Sequence, residues 1–266
     1  MADLNQTVLE VVNHLLTRHP ELAPVVERLA AQAQGKSMQD LDNFNEWKRY
    51  ENQSVEQIFT SIYANRTWGA SGEQGQPFFS GSGSHSEAIV ARYVEAVRAF
   101  LATLPGKPDV VDLGCGDFNV GSRIRPYCGH YVACDVVRPL VAHNQEAFRA
   151  LDVDFRELDM TAEELPAGDV VFIRQVLQHL SNSKIAAVVE KVRRTYRYLV
   201  LTEHLPTTGD FPANLDKPTG HEIRMKFGSG VVLTAEPFNL LPLAEQVICE
   251  VGEFGGVIRT TAYQLV

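Results

Sequence analysis

The run Val110-Val111-Asp112-Leu113-Gly114-Cys115-Gly116-Asp117-Phe118-Asn119 constrains this chain more than any other segment. It reads as a buried strand entering a glycine-rich turn and then a short helix. Gly114 and Gly116 permit positive φ and a close backbone approach to a ligand that a Cβ would block. Twenty-three positions after Asp112, Asp135 closes a second apolar run, Tyr131 to Cys134. In a parallel α/β sheet both features lie at the carboxyl ends of adjacent strands, where nucleotides bind and a carboxylate accepts ribose hydroxyls. A dinucleotide fingerprint wants glycine where Asn119 stands, and a P-loop wants a lysine after the turn. Neither is present.

The downstream order narrows the reading. Val153 to Leu158 reads as a third strand ending at Asp159-Met160, and Gly168 to Arg174 as a fourth, followed by Gln175-Val176-Leu177-Gln178-His179-Leu180. Arg197 to Glu203 is a fifth. Glu245 to Val251 and Val257 to Val266, around Glu253-Phe254-Gly255-Gly256, carry a hairpin signal. Taken in order, these features resemble the class I S-adenosylmethionine (SAM)-dependent methyltransferases from roughly Val110 to Val266. The resemblance implies a seven-stranded, Rossmann-like α/β sheet, mostly parallel, with a C-terminal antiparallel hairpin. It implies SAM as cofactor and S-adenosylhomocysteine (SAH) as product. Asp112, Gly114, Cys115, Gly116, Asp117 and Asn119 would then lie along the methionine part, and Asp135 would bind the ribose. Asp159 and Met160 would flank the adenine, with Arg174 and Gln175 completing the cofactor set. Cys115 by itself reads as a small filler under the turn, since no histidine stands beside it in sequence.

Ahead of this core, residues 1–62 read as a helical extension. Leu4, Val8, Val11, Val12, Leu15 and Leu16 keep a helical period, and Leu22, Val25, Val26 and Leu29 repeat it. A third helix is expected from about Met38 to Tyr50, and Val55, Ile58, Phe59 and Ile62 suggest a fourth. Such a layer reads as a packing or homodimerisation surface or as a lid over the substrate; the mixed case is expected, with the first two helices structural and the segment after Val55 near the site. Residues 63–85 mix glycine and serine with Tyr63, Trp68, Phe78 and Phe79. A long irregular run of this kind is usually functional or disordered, and its aromatic content points to a capping loop. Its pattern resembles the N-terminal approach of some bacterial small-molecule methyltransferases, which implies that Tyr63, Trp68, Ser82, Gly83 and Ser84 approach the methionine end of SAM. An amphipathic helix from Ser86 opens the domain proper, residues 86–266.

Methyl transfer to a hydroxyl requires a base, whereas an amine acceptor can do without one. His179 after the fourth strand, and Glu203 and His204 at the end of the fifth, are the catalytic candidates. The irregular stretch from Pro206 to Pro242 replaces an expected helix and should carry acceptor specificity. Asp216, His221 and Glu222 within it read as a solvated loop rather than a metal site, so no metal is expected. The net charge of −9 disfavours a nucleic-acid partner. A small polar acceptor, a sugar or a secondary-metabolite intermediate, is expected. The alternatives are a protein or tRNA methyltransferase and a non-catalytic SAM-binding partner. No apolar run reaches the ~20 residues that span a bilayer. The first residues lack a secretion signal, and four cysteines without metal-ligand spacing read as reduced thiols in a cytoplasmic protein.

Overall fold

The computed structural model describes residues 48–70, 76–207 and 209–265, together with His19. The contacts divide the chain into two units, residues 1–51 and 52–266. The helices expected before Tyr50 lie outside the described residues, apart from a helical turn at 48–50.

The second unit begins with α1 (Val55–Ala64), whose Ser54 and Gln57 form a reciprocal capping box. It buries Val55, Ile58, Phe59 and Ile62, the stripe that a 3.6-residue period demands. The next helix, α2 (Glu87–Leu101), buries Ile89, Val90, Tyr93, Val97 and Leu101. The strands are β1 (Val110–Leu113), β2 (Tyr131–Asp135), β3 (Asp154–Glu157), β4 (Val170–Arg174), β5 (Tyr198–Pro206), β6 (Ala244–Glu253) and β7 (Gly256–Gln264). Between them run α3 (Asn119–Ile124), α4 (Arg138–Ala147) and α5 (Asn182–Thr195). The sheet order is β3-β2-β1-β4-β5-β7-β6, parallel except for the closing hairpin. Strands β1, β2 and β4 are buried nearly throughout, as a parallel sheet covered on both faces requires. The order reverses between β1 and β4, so the carboxyl ends of those strands open a crevice.

Phe118 forms the hinge of the β1–α3 turn. It sits in the left-handed region at φ 60°, and a non-glycine residue there costs about 1–3 kcal/mol. Its fully buried ring packs edge-on against Tyr131, Phe148 and Phe155 at 4.8–5.6 Å between centroids, which offsets that cost. Gly121 makes the room: a Cβ there would lie 2.3 Å from the Phe118 ring and 3.1 Å from an Asp112 oxygen. The structure thus moves the close-packing glycine two positions beyond the dinucleotide spacing.

Gly121→Ala should therefore destabilise the domain. The overpacking cost of about 1–3 kcal/mol exceeds the roughly 1 kcal/mol that alanine gains in a helix. Urea denaturation should show a lower midpoint; an unchanged or higher midpoint would contradict the packing argument.

Candidate active site

A cavity of about 480 Å³ opens at the carboxyl ends of β1, β2 and β4. It runs from Asp135, Leu158 and Met160 past the glycine turn to Phe59, Trp68, His179, Met225 and Phe254.

At the β2 end, Asp135 is buried and accepts the Gly116 N–H (3.0 Å) on one oxygen and the Val137 N–H (3.1 Å) on the other. Burial raises its pKa to about 6 against these backbone donors. Each oxygen keeps a second lone pair. The turn is fixed from behind by buried Asn144 on α4, whose amide donates to the Gly116 carbonyl at 2.8 Å. Asp112 accepts a 2.9 Å bond from Tyr131 Oη, and burial lifts its carboxyl to about 7. Asp159 holds the Thr161 N–H and hydroxyl on one oxygen, with Leu158 and Met160 forming apolar wall beside it.

Residues 76–86 form a strap across the glycine turn, and a reciprocal pair secures it. The Ser80 N–H donates to Asp117 Oδ2, and the Asp117 N–H donates to Ser80 Oγ, both at 2.8 Å. His85 Nε2 joins the same carboxylate oxygen at 2.6 Å, and Phe79 stacks on the His85 ring. Tyr63 Oη meets Ser80 Oγ at 2.9 Å. Gly116 must lack a side chain here, since a Cβ would lie 2.4 Å from Ser80 Oγ. Farther along, Asn119 donates to the Ser84 carbonyl, and Arg174 donates to the Gly83 carbonyl (2.7 Å) and Ser84 Oγ (3.1 Å). Arg174 is held over the Tyr93 ring at 5.0 Å.

Nearly all of the cofactor residues expected from sequence line this one cavity, Tyr63, Trp68, Ser82, Gly83, Ser84, Cys115, Arg174 and Gln175 among them. Asn119 does not, because its amide is turned to the strap. Asp117 borders the cavity, but its carboxylate is taken up by Ser80 and His85. Sequence reasoning missed Ser80, His85 and Asn144. A phased signal for them is absent, since each acts through partners distant in sequence.

The far wall is built from two segments lashed together. Residues Leu177–His179 form one helical turn after β4. Arg224, fully buried, donates to the carbonyls of Leu177, Gln178, Leu180 and Leu215 and to Asn182 Oδ1. Gly220 N–H bonds the His179 carbonyl, and Trp68 Nε1 reaches the His221 carbonyl. Trp68 and Phe59 pack on the His179 ring at 5.1 and 6.4 Å. Burial drives the His179 pKa down to about 3, so the ring is neutral.

The three catalytic candidates separate by position. His179 and His204 line the cavity, but Glu203 does not. Side chains alternate along β5, so Glu203 faces away from His204. Neither Glu203 oxygen has a hydrogen-bond partner within bonding geometry, and burial raises its pKa to about 8 despite the nearby Arg224 guanidinium. Asp216 accepts the Asn182 and Lys217 N–H groups, and Glu222 lies against His221 and Lys226. Among the described residues, no group of three His, Cys, Asp or Glu could hold a metal ion.

Residues 111–197 match the sequence model of a methyltransferase-domain family. The chain carries a class I SAM-dependent methyltransferase domain. In fold, the methyltransferase is similar to a SAM-dependent methyltransferase from Leishmania major: 15% identity, 84% of this chain, 91% of that one, TM-score 0.56. It is also similar to the N-terminal domain of EvdMO1 with SAH bound: 15% identity, 81% and 100% covered, TM-score 0.51. A third is the N-methyltransferase NodS of Bradyrhizobium japonicum with SAH: 12% identity, 67% and 87% covered, TM-score 0.50. At these identities the likeness is one of fold. No curated protein matches the chain in sequence. The cavity fits the cofactor of this family: a buried carboxylate with two open lone pairs stands at the β2 end, next to an apolar wall with an acid beside it.

The buried Glu203 makes a prediction for stability. Its folded-state pKa of about 8 lies above the ordinary 4.5, so the folded protein keeps a proton that the unfolded chain releases. That stabilisation is complete below the unfolded pKa and is lost as pH rises through the folded one, by roughly 1 kcal/mol per pH unit. Wild type should lose stability in urea between about pH 5 and pH 8, and Glu203→Gln should lose less. Identical pH profiles would contradict the assignment.

Proposed function

We propose that the methyltransferase acts on an oxygen or nitrogen of a small polar metabolite, such as a sugar or a secondary-metabolite intermediate. One observation carries this reading: the cavity that holds Asp135 continues without a break to the aromatic wall of Phe59, Trp68 and Phe254. Its volume of about 480 Å³ falls in the small-ligand range. The net charge of −9 argues against an acceptor with a phosphate backbone.

When bound, SAM supplies an electrophilic methyl carbon on a positively charged sulfur. The chain's residues orient and enclose it. Asp135 would take the two ribose hydroxyls on its open lone pairs, and Leu158 and Met160 would flank the base. Cys115, Gly116 and the strap residues Ser82–Ser84 would lie along the amino-acid portion. The sulfonium charge is dispersed during transfer, so anion stabilisation is not the main demand on the protein; alignment and exclusion of water are. The strap and the Trp68 wall meet the second demand. The acceptor would occupy the space among Trp68, His179, His221, Met225 and His204. Substrates differ among enzymes of one fold, so that wall is where this chain's choice is made.

Calorimetric titration with SAH tests the cofactor half of this reading. Wild type should bind, and Asp135→Ala should bind at least about tenfold more weakly, the loss of a charge-assisted hydrogen bond. Transfer of radiolabelled methyl from SAM, screened over sugars, amines and phenols beside tRNA and total protein, tests the acceptor half. Label entering only the macromolecular fractions would contradict it.

A further inference from the structure

We infer that His204 Nδ1 is the general base of this enzyme and that the acceptor presents a hydroxyl. The inference rests on the small-acceptor reading above and assigns its chemistry.

Strand β5 outruns β4: the last paired residues are Arg174 and Thr202, so His204 stands two residues beyond that edge, over the crevice. Its ring lines the cavity. His204 Nε2 lies 3.2 Å from the Glu253 carbonyl. A carbonyl can only accept, so in the neutral ring the proton is on Nε2 and the lone pair on Nδ1. Nδ1 has no hydrogen-bond partner among the described residues. It is also not sealed off as His179 Nδ1 is. The hairpin is shaped around this ring: a Cβ on Gly256 would lie 2.6 Å from His204 Nε2, and Phe254 packs edge-on at 6.3 Å. A backbone carbonyl that fixes the tautomer, a glycine that admits the ring and an unpartnered, unsealed nitrogen on a ring that lines the cavity together make a positioned proton acceptor.

Three other groups fail on geometry. His179 Nδ1 is closed off beneath Trp68, Glu203 is on the opposite face of β5, and Glu222 is occupied by His221 and Lys226. Burial favours the neutral form of His204, which is the form that can take a proton. A neutral amine attacks without a base, whereas a hydroxyl must shed its proton during transfer, so a base built here points to oxygen. As the new C–O bond forms, the S–CH₃ bond breaks and its electron pair stays on sulfur. The hydroxyl proton passes to Nδ1, Nε2–H remains on the Glu253 carbonyl, and the imidazolium later releases its proton to water.

The test is NMR of protein labelled with ¹⁵N at the histidine rings, in complex with SAH at neutral pH, with His204→Gln assigning the resonance. The expected spectrum shows His204 neutral, protonated at Nε2 and unprotonated at Nδ1. An Nδ1–H tautomer or an imidazolium overturns the assignment. His204→Gln should bind SAH as wild type does while losing about 10²–10⁴-fold in transfer to a hydroxyl acceptor; undiminished transfer also overturns it. Failure of the wild-type protein to bind SAH would remove the methyltransferase reading itself, whereas the wrong tautomer with SAH bound removes only the role of His204.

Discussion

The reciprocal hydrogen bonds between Ser80 and Asp117 are the centre of the fastening that joins the strap to the glycine turn. With the His85–Asp117 and Asn119–Ser84 contacts beside them, the two loops form one wall of the cavity. Each residue uses its backbone N–H and its side-chain oxygen toward the other, so one contact satisfies two donors in a part-buried place where an unmade bond would be expensive. His85 adds a further donor to the same carboxylate, and Tyr63 ties α1 to the same serine. The glycines of the turn are each required by a close neighbour. Gly116 is small because Ser80 sits where its Cβ would be, and Gly114 because the Val176 side chain would lie 2.6 Å from its Cβ.

A second, independent fastening shapes the acceptor side. Arg224 spends its guanidinium on backbone carbonyls of the turn after β4 and of Leu215. The irregular stretch after β5 is therefore ordered by buried cations, Arg224 with Lys217 beside it, rather than by its own periodicity. Asn214 does similar work nearby, donating to the Val232 and Glu236 carbonyls and accepting the Val232 N–H. Breaking a buried charged network of this kind costs several kcal/mol, more than any surface ion pair on the molecule.

The sheet was legible in the sequence because its signals are local. An apolar run, a glycine turn and an acid one βα unit later fix β1, β2 and the crevice, and Glu253-Phe254-Gly255-Gly256 marks the hairpin. Residues such as Asp135 and Met160 were legible for the same reason, since strand ends place them. Ser80, Asn144 and the tautomer of His204 were not, because each depends on a partner distant in sequence. Glu203 illustrates the converse. It neighbours His204 in sequence, yet the two-residue period of a strand sends the pair to opposite faces. Asn119 stands at a motif position but serves the strap, because Gly121 has taken over the packing role beside Phe118.

The Asp117–Ser80 pair fastens the strap over the cavity. Asp117→Ala alone leaves the Asp117 N–H on Ser80 Oγ, so removing both bonds takes Ser80→Ala together with Asp117→Ala. Amide hydrogen exchange across residues 76–86 should be followed with and without saturating SAH in wild type and in this double variant. SAH should slow exchange of the strap in wild type, and the double variant should lose this protection and bind SAH more weakly. Equal protection of the strap in the two proteins would mean that the cavity closes without the pair.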